Sequence, residues 1–423
     1  MEREEKRVLD NGIELYSYKN PGVNSFYISL FLRAGSMYEA EIDSGITHFL
    51  EHVAIRNVNA LMDGGLYPLL DRYGIEFNAS TYSEMVQFYV TGAKQNFAIG
   101  AEIISKLLCP IVLSAEEIRT ERDRIKAEIR ENDERGSMAG FTSGIVHEGT
   151  TLSRPITGTL GSVSKISSRR LENYRRGVFT RNNLFLYVTG AFGESELDTL
   201  AALCGGAVLS EGEAHTNLAP VAAGFFKREP RVLVKSGDYT MLRFTFDMDM
   251  TKISVAESDL LYDVMLGGYN SCFFIEMSEK RGIFYDLSGA TERYGNIGTF
   301  SFYFEVRAGD LPEAVKLTLD ILRDFISSPL DEAECMKAGY VDNAYMLYDD
   351  PRELNFTFAY DNHILNAGYT CLDERIERYR SITPERLREV AAEVFRAENL
   401  TLTVKGNKKK IDTSALTKLI CRL

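Results

Sequence analysis

The chain has 423 residues, of which 45% are hydrophobic, and this length is sufficient for two or more domains. Its formal net charge of −13 opposes the basic surface that nucleic-acid binding requires, so we expect no nucleic-acid partner. The six cysteines are scattered without a CxxC pair, which favours a reducing compartment over a disulfide framework.

The N-terminal segment is charged and then runs into a stretch that predicts a strand. It lacks the apolar core of a signal peptide, and the chain contains no run of about 18 apolar residues. We therefore expect a cytoplasmic protein without a membrane span. Asn11 and Gly12, which separate two strand-like stretches, predict a β-hairpin.

Residues 45–54 read GITHFLEHVA and contain the pattern H-x-x-E-H. On a helix, His48, Glu51 and His52 share one face, so the two imidazoles can bind one metal ion. Glu51 can then accept a proton from a water on the same ion. The alternative is an ordinary amphipathic helix, but the chain has only five histidines, and H-x-x-E-H is typical of zinc peptidases.

The residues before this pattern support a helix there, because Asp43 and Ser44 are suited to cap its N-terminus. Catalytic zinc usually has three protein ligands and one water. The remaining histidines have no motif around them, so a carboxylate is the better third ligand. They are His147, His215 and His363.

The segment 113–132 predicts a helix with a capping box at Ser114 and Glu117 and an apolar stripe of isoleucines. Glu121 and Glu128 are seven residues apart and therefore lie on one face beside that stripe. On periodicity alone, a solvated charged face is the favoured explanation of these glutamates, and nothing selects Glu128 from its neighbours.

The chain also contains an internal repeat. Residues 166–190 match residues 382–406 without a gap at an offset of 216, with ten identical positions. Each copy predicts a helix followed by a strand, with Ser167 and Thr383 as N-caps. Two generic helix–strand units could match by chance, but an offset near half the chain length favours two related halves.

We predict a division of the chain into an N-terminal half at 1–212, a polar linker at 213–224 and a C-terminal half at 225–423. Alternating strands and long helices occur in both halves. The predicted fold class is α+β, with antiparallel sheets covered by helices in each half. The H-x-x-E-H pattern occurs in the first half alone.

The sequence resembles the pitrilysin/insulinase (M16) family of zinc peptidases, which includes the mitochondrial processing peptidases. The resemblance is closest to the single-unit bacterial branch and extends over nearly the whole chain. It implies a clamshell of two homologous halves with zinc in the first. The segments that carry it are GITHFLEH (45–52), FNAST (77–81), ERDRIKAEI (121–129), RPITGT (154–159), and LGGYNS and EKRGIFY in the second half.

The resemblance implies roles for five residues of the first half. His48, His52 and Glu128 are expected to bind Zn²⁺, since the family's third ligand follows the histidines at this spacing. Glu51 is expected to act as the general base. Glu121 is expected to hydrogen-bond a zinc ligand and so orient its imidazole.

The resemblance also implies substrate contacts. Asn78 and Ala79 match the edge strand to which a peptide substrate adds as a further strand. In the second half Tyr285 matches the tyrosine of an arginine–tyrosine pair that contacts the substrate carbonyl. The arginine position, however, holds Ser278, and the nearby Arg281, a candidate substrate contact, lies at a different spacing.

Three accounts of this departure remain open. Arg281 or Arg293 substitutes for the missing arginine, the enzyme is slow, or a partner subunit supplies the pair, which we favour. The resemblance implies that members of this length usually pair into dimers, so we expect a homodimer or a heterodimer with a related family subunit. We therefore expect a bacterial zinc endopeptidase for short unfolded peptides, including precursor or leader peptides. The alternatives are a non-catalytic scaffold or regulatory subunit, and a metal-binding module without turnover.

Overall fold

The structure is a computed structural model that describes residues 3–132, 134, 136–267, 269, 271–284, 286–327, 339 and 341–423. The predicted α+β class is confirmed, with two sheets and helices around each. The strands are β1 (Glu5–Val8), β2 (Glu14–Lys19), β3 (Ser25–Leu32), β4 (Glu76–Thr81), β5 (Val86–Ala93), β6 (Leu184–Gly190), β7 (Val232–Ser236), β8 (Thr240–Asp249), β9 (Leu287–Arg293), β10 (Ile297–Val306) and β11 (Leu400–Gly406).

The helices account for most of the remaining regular structure. None of those within the described residues has the length and apolar character needed to span a bilayer. They are α1 (Ile46–Leu61), α2 (Leu66–Tyr73), α3 (Phe97–Lys106), α4 (Ala115–Glu131), α5 (Met138–Val146), α6 (Leu160–Lys165), α7 (Ser168–Val178), α8 (Glu194–Gly205), α9 (Val255–Leu266), α10 (Leu311–Ser327), α11 (Pro351–Ala359), α12 (Leu372–Ser381), α13 (Pro384–Val394) and α14 (Thr413–Ile420).

The chain forms two compact units, and neither is continuous in sequence. Each contains a segment from the half of the chain that forms most of the other unit. The first unit comprises Met1–Glu134, Arg154–Asn217 and Met346–His363. The second comprises Arg135–Ser153, Leu218–Tyr345 and Ile364–Leu423. The predicted division at 213–224 follows the sequence repeat and stays a prediction.

The sheet of the first unit has the order β1-β2-β6-β3-β5-β4. The predicted hairpin is confirmed, because Gly12 has φ +88° and β1 pairs antiparallel with β2. The sheet is not purely antiparallel as predicted, since β6 runs parallel to β2. A long connection separates these two strands in the sequence, which is what parallel pairing requires.

The sheet of the second unit has the order β7-β11-β8-β10-β9, and β11 runs parallel to β7. Without β1, the first sheet has the same order and the same directions. The predicted repeat also appears in the positions at which helices and strands begin and end. The bounds of α7 and β6 coincide with those of α13 and β11 at the offset of 216, and Ser167 and Thr383 are N-caps as predicted.

Strand β3 is buried along nearly its whole length, on both faces of the sheet. Helix α11 explains this, since Asn355 accepts a hydrogen bond from Ser29 on β3 at 2.7 Å and donates to the Tyr187 carbonyl on β6 at 3.0 Å. Strands covered on both faces have nearly continuous apolar sequences, as in SFYISLFL. The edge strand β4 is more exposed.

Candidate metal centre

Helix α1, which contains the H-x-x-E-H pattern, begins at a tight backbone contact. Gly45 has φ +88°, and a Cβ there would lie 2.6 Å from the Thr157 carbonyl oxygen, so only glycine fits. The first turn is capped by Glu39, whose carboxylate accepts from the backbone N–H groups of Gly45 and Thr47 at 2.8 and 2.9 Å. This fixes the direction of the helix.

The predicted caps of α1 are therefore wrong. Neither Asp43 nor Ser44 caps the helix through its side chain, because the N-cap position is the left-handed Gly45. Asp43 instead forms an ion pair with Arg170 on α7. That ion pair connects the residues just before α1 to helix α7, which belongs to the first copy of the repeated segment.

Helix α4 supplies the facing carboxylates. The predicted capping box between Ser114 and Glu117 is confirmed. Ile118 and Ile125 are buried in the core of the first unit. The neighbouring face of α4, which carries Glu121 and Glu128, is therefore directed toward α1.

The structure brings His48, His52 and Glu128 together. Nε2 of His48 lies 3.7 Å from one carboxylate oxygen of Glu128, and Nε2 of His52 lies 3.4 Å from the other. The candidate ligand atoms all lie within 4.8 Å of one another. Tetrahedral zinc ligands at about 2.1 Å from the ion stand about 3.4 Å apart, so these separations fit Zn²⁺.

Electrostatics also favours a cation at this place. Burial lowers the pKa of His48 to about 3, so its imidazole is neutral, as a metal ligand must be. Burial also opposes protonation of His52, but Glu121 and the charges of Glu51 and Glu128 raise its pKa overall. A divalent ion would neutralise the carboxylates that converge here.

Glu51 is held beside this cluster from the sheet. The residue is 8% exposed, and its carboxylate accepts a hydrogen bond from the hydroxyl of Thr81 at the end of β4. Burial raises the pKa of Glu51 against the lowering effect of that hydrogen bond. A carboxylate with a raised pKa and a fixed orientation is suited to accept and return a proton.

Glu121 connects the cluster to two arginines. One of its oxygens lies 3.7 Å from Nδ1 of His52, and the other accepts from Arg56 at 2.7 Å and lies 3.2 Å from Arg124. Burial would raise the pKa of Glu121, but His52 and the arginines lower it. An ionised carboxylate behind an imidazole fixes the orientation of the ring.

Asn78 and Ala79 lie on β4, whose one strand neighbour in the described sheet is β5. The backbone N–H of Ala79 donates to the side chain of Asn78 at 2.9 Å. A strand with a single neighbour leaves main-chain groups along its other edge, where a further strand could pair with them.

The predicted residues of the second half belong to the second unit. Tyr285 lies outside the described residues. Ser278 donates to the Phe284 carbonyl at 3.3 Å and lines a cleft of about 760 Å³. Both candidate replacements for the missing arginine are held by carboxylates, Arg281 by Glu276 at 2.8 Å and Arg293 by Asp259.

Sequence reasoning missed three residues of the site. Arg56 follows His52 by four positions, so helix periodicity could have placed it on the same face. Glu39 and Thr81 reach α1 from a loop and a strand. Their contacts depend on tertiary packing, which no local pattern encodes.

The sequence matches two family descriptions, "Insulinase (Peptidase family M16)" over residues 15–159 and "Peptidase M16 inactive domain" over residues 165–338. An uncharacterized zinc protease of Rickettsia felis is 23% identical over 415 residues, which covers 96% of each chain. One of Bacillus subtilis is 22% identical over 393 residues, covering 91% of this chain and 94% of the relative.

Solved structures share the fold at low sequence identity. A protease from Helicobacter pylori has a TM-score of 0.79 and 17% identity, covering 96% of this chain and 99% of its own. A putative M16-like peptidase from Alicyclobacillus acidocaldarius has a TM-score of 0.81 with the same identity and coverage.

Proposed function

Since the chain belongs to the insulinase family of peptidases (M16), whose curated relatives are named zinc proteases, we propose that it is a zinc endopeptidase that hydrolyses short unfolded peptides. The observation that supports this most is the convergence of His48, His52 and Glu128 beside the buried Glu51. His48, His52 and Glu128 would hold the ion, and Glu121 would orient His52.

Zinc bound there supplies Lewis-acid polarisation of the scissile carbonyl and makes water more acidic. Glu51 takes the proton of the attacking water and later returns it to the leaving amine. Thr81 keeps the Glu51 carboxylate in place through its hydrogen bond. His48, being neutral, remains available as a ligand.

The free edge of β4 is the proposed place of the peptide backbone, beside Asn78 and Ala79. Addition of a strand at an edge uses backbone hydrogen bonds and therefore accepts many sequences, provided that the peptide is extended. Thr81 ends this strand and contacts Glu51. A peptide paired with β4 would therefore lie close to the proposed base.

Removal of the metal tests the proposed activity. The purified chain is expected to cleave internally quenched peptides, to lose cleavage on treatment with a chelator and to regain it with one equivalent of zinc. The physical reason is that the protein ligands alone do not polarise the carbonyl. A peptidase activity unaffected by chelation, with metal content measured to be zero, would rule out the proposal.

We further propose that a partner subunit, either a second copy or a related chain, completes the site by supplying an arginine–tyrosine pair. Ser278 motivates this, as do the carboxylate pairings of Arg281 and Arg293. The cytoplasmic location stays a prediction. A non-catalytic scaffold is the second candidate, and it is favoured by Ser278 alone.

Ser278→Arg is expected to raise cleavage by the isolated chain about 10- to 100-fold, because one oxyanion donor is typically worth about 10²–10³ in rate. The cleft at this position has room for a longer side chain. Initial rates with one quenched peptide measure the effect. Ser278→Met, which adds length without a donor, is the matched control, and equal rates for both variants would contradict the expectation.

A further inference from the structure

The two faces of β4 differ in what they contact. Phe77 and Ala79 pack against the core of the first unit, and Thr81 on the same face donates to Glu51 of α1. Side chains alternate along a strand, so Asn78 and Ser80 lie on the opposite face. Residues of helix α11 lie at the two ends of that second face, Arg352 beside Glu76 and Phe356 beside Tyr82.

An aromatic stack lies at the Thr81 end of β4, formed by Tyr82, by Phe356 of α11 and by Tyr360, the residue after α11. The ring of Tyr82, the residue after the strand, lies 5.8 Å from the ring of Phe356, which stacks on Tyr360 at 5.5 Å and an angle of 7°. Tyr360 is fixed by its hydroxyl, which donates to Glu84 at 2.7 Å. All three residues are half-buried, so part of each remains accessible.

The far end of β4 is chemically different. Arg352 of α11 donates to Glu76 at 2.6 Å and lies over the ring of Tyr89 at 5.2 Å. This arginine is therefore engaged by groups of the first unit. Between the two ends lie Asn78, which is exposed, and Ser80, which is half-buried.

A peptide paired with the edge of β4 would lie about 4.8 Å from it, and every second side chain would point to the α11 face. Directly opposed residues of paired strands bring their side chains to about 5 Å of each other. A side chain near the Thr81 end would therefore come close to the half-buried Tyr82 and Phe356. Aromatic rings favour such edge contacts.

We propose that the aromatic stack of Tyr82, Phe356 and Tyr360 is a specificity surface that selects peptides with an aromatic or large apolar side chain on the α11 face. This inference rests on the proposed function. It adds a substrate preference that the metal centre does not determine, since the stack lies on the other face of β4.

The test uses a series of peptides in which one phenylalanine is moved stepwise through an alanine–serine background. Binding is measured by fluorescence anisotropy to the zinc-loaded Glu51→Gln chain, and cleavage is measured with the natural chain. Affinity is expected to vary with a period of two residues, because alternate positions face α11. The phenylalanine that meets the stack should improve Kd about 5- to 10-fold.

Phe356→Ala in the same background is expected to remove that gain, so that the phenylalanine peptides bind no more tightly than the alanine–serine peptide does. Phe356→Leu, which keeps the apolar packing of α11, should retain part of the gain in affinity. Tyr67→Ala, an exposed aromatic on α2 (52% exposed), is the matched control and should change nothing. Zinc content and thermal unfolding of each variant verify that it is folded.

Two results would overturn the inference. One is a positional preference that Phe356→Ala leaves intact, and the other is the absence of any peptide binding. Binding that follows the expected pattern without cleavage by the natural chain would instead contradict the proposed activity and leave the specificity surface supported. The two proposals therefore fail through different measurements.

Discussion

Glu51→Gln is expected to abolish peptide cleavage while the chain keeps its zinc. The amide has nearly the same shape as the carboxylate, and its oxygen can still accept the hydrogen bond from Thr81. It has no basic oxygen with which to take a proton from water. The ligand atoms of His48, His52 and Glu128 are unchanged, so metal content should remain at that of the natural chain.

The expected loss is at least about 10²–10⁴ in kcat, the usual contribution of a general base. Initial rates with quenched peptides and zinc content by atomic absorption measure the two properties on the same sample. Thr81→Val is an informative companion, because it leaves the carboxylate in place but removes its hydrogen bond, and it should give a smaller loss. Full activity in Glu51→Gln would exclude Glu51 as the base.

Local periodicity predicted the half of the site that lies on one helix. His48, Glu51 and His52 needed only the geometry of a helix, and their common face follows from spacing. Glu128 is different, because the acidic face of α4 offers several equivalent carboxylates. The resemblance selected it, and the structure places its carboxylate oxygens 3.4 and 3.7 Å from the histidines.

The remaining features depend on contacts between segments far apart in the sequence. Thr81 reaches Glu51 from a strand, and Glu39 caps α1 in place of the predicted Asp43 and Ser44. Helix α11 covers the first sheet although it comes from the second half of the sequence. Nothing in its composition predicts that location, because an amphipathic helix can pack on any apolar face.

The two units share a structural anchor, although only one cluster of candidate metal ligands occurs among the described residues. Arg170 and its counterpart Arg386, 216 positions later, each pair with a carboxylate near the N-terminus of a helix. The partners are Asp43 before α1 and Glu257 in the first turn of α9. The structural anchor is therefore present in both units, whereas α9 lacks the histidines of α1.

Glu128→Ala is expected to remove stoichiometric zinc, and with it all cleavage. Two imidazoles alone leave the ion with too few protein ligands, since catalytic zinc usually has three. Glu121→Gln should be milder, with zinc affinity about 10- to 100-fold weaker, because it weakens the contacts of Glu121 with His52, Arg56 and Arg124 but removes no ligand atom. Competition with a chelating dye measures both affinities.

Thermal unfolding gives a second measure that does not depend on activity. An ion that binds only the folded chain stabilises it, so added zinc should raise the Tm of the natural chain. It should raise the Tm of Glu121→Gln by a smaller amount. The Tm of Glu128→Ala should not respond. Glu131→Ala, which removes an exposed carboxylate from the end of the same helix, should behave as the natural chain. If Glu128→Ala bound zinc as tightly as Glu131→Ala, the third ligand would have to be another residue.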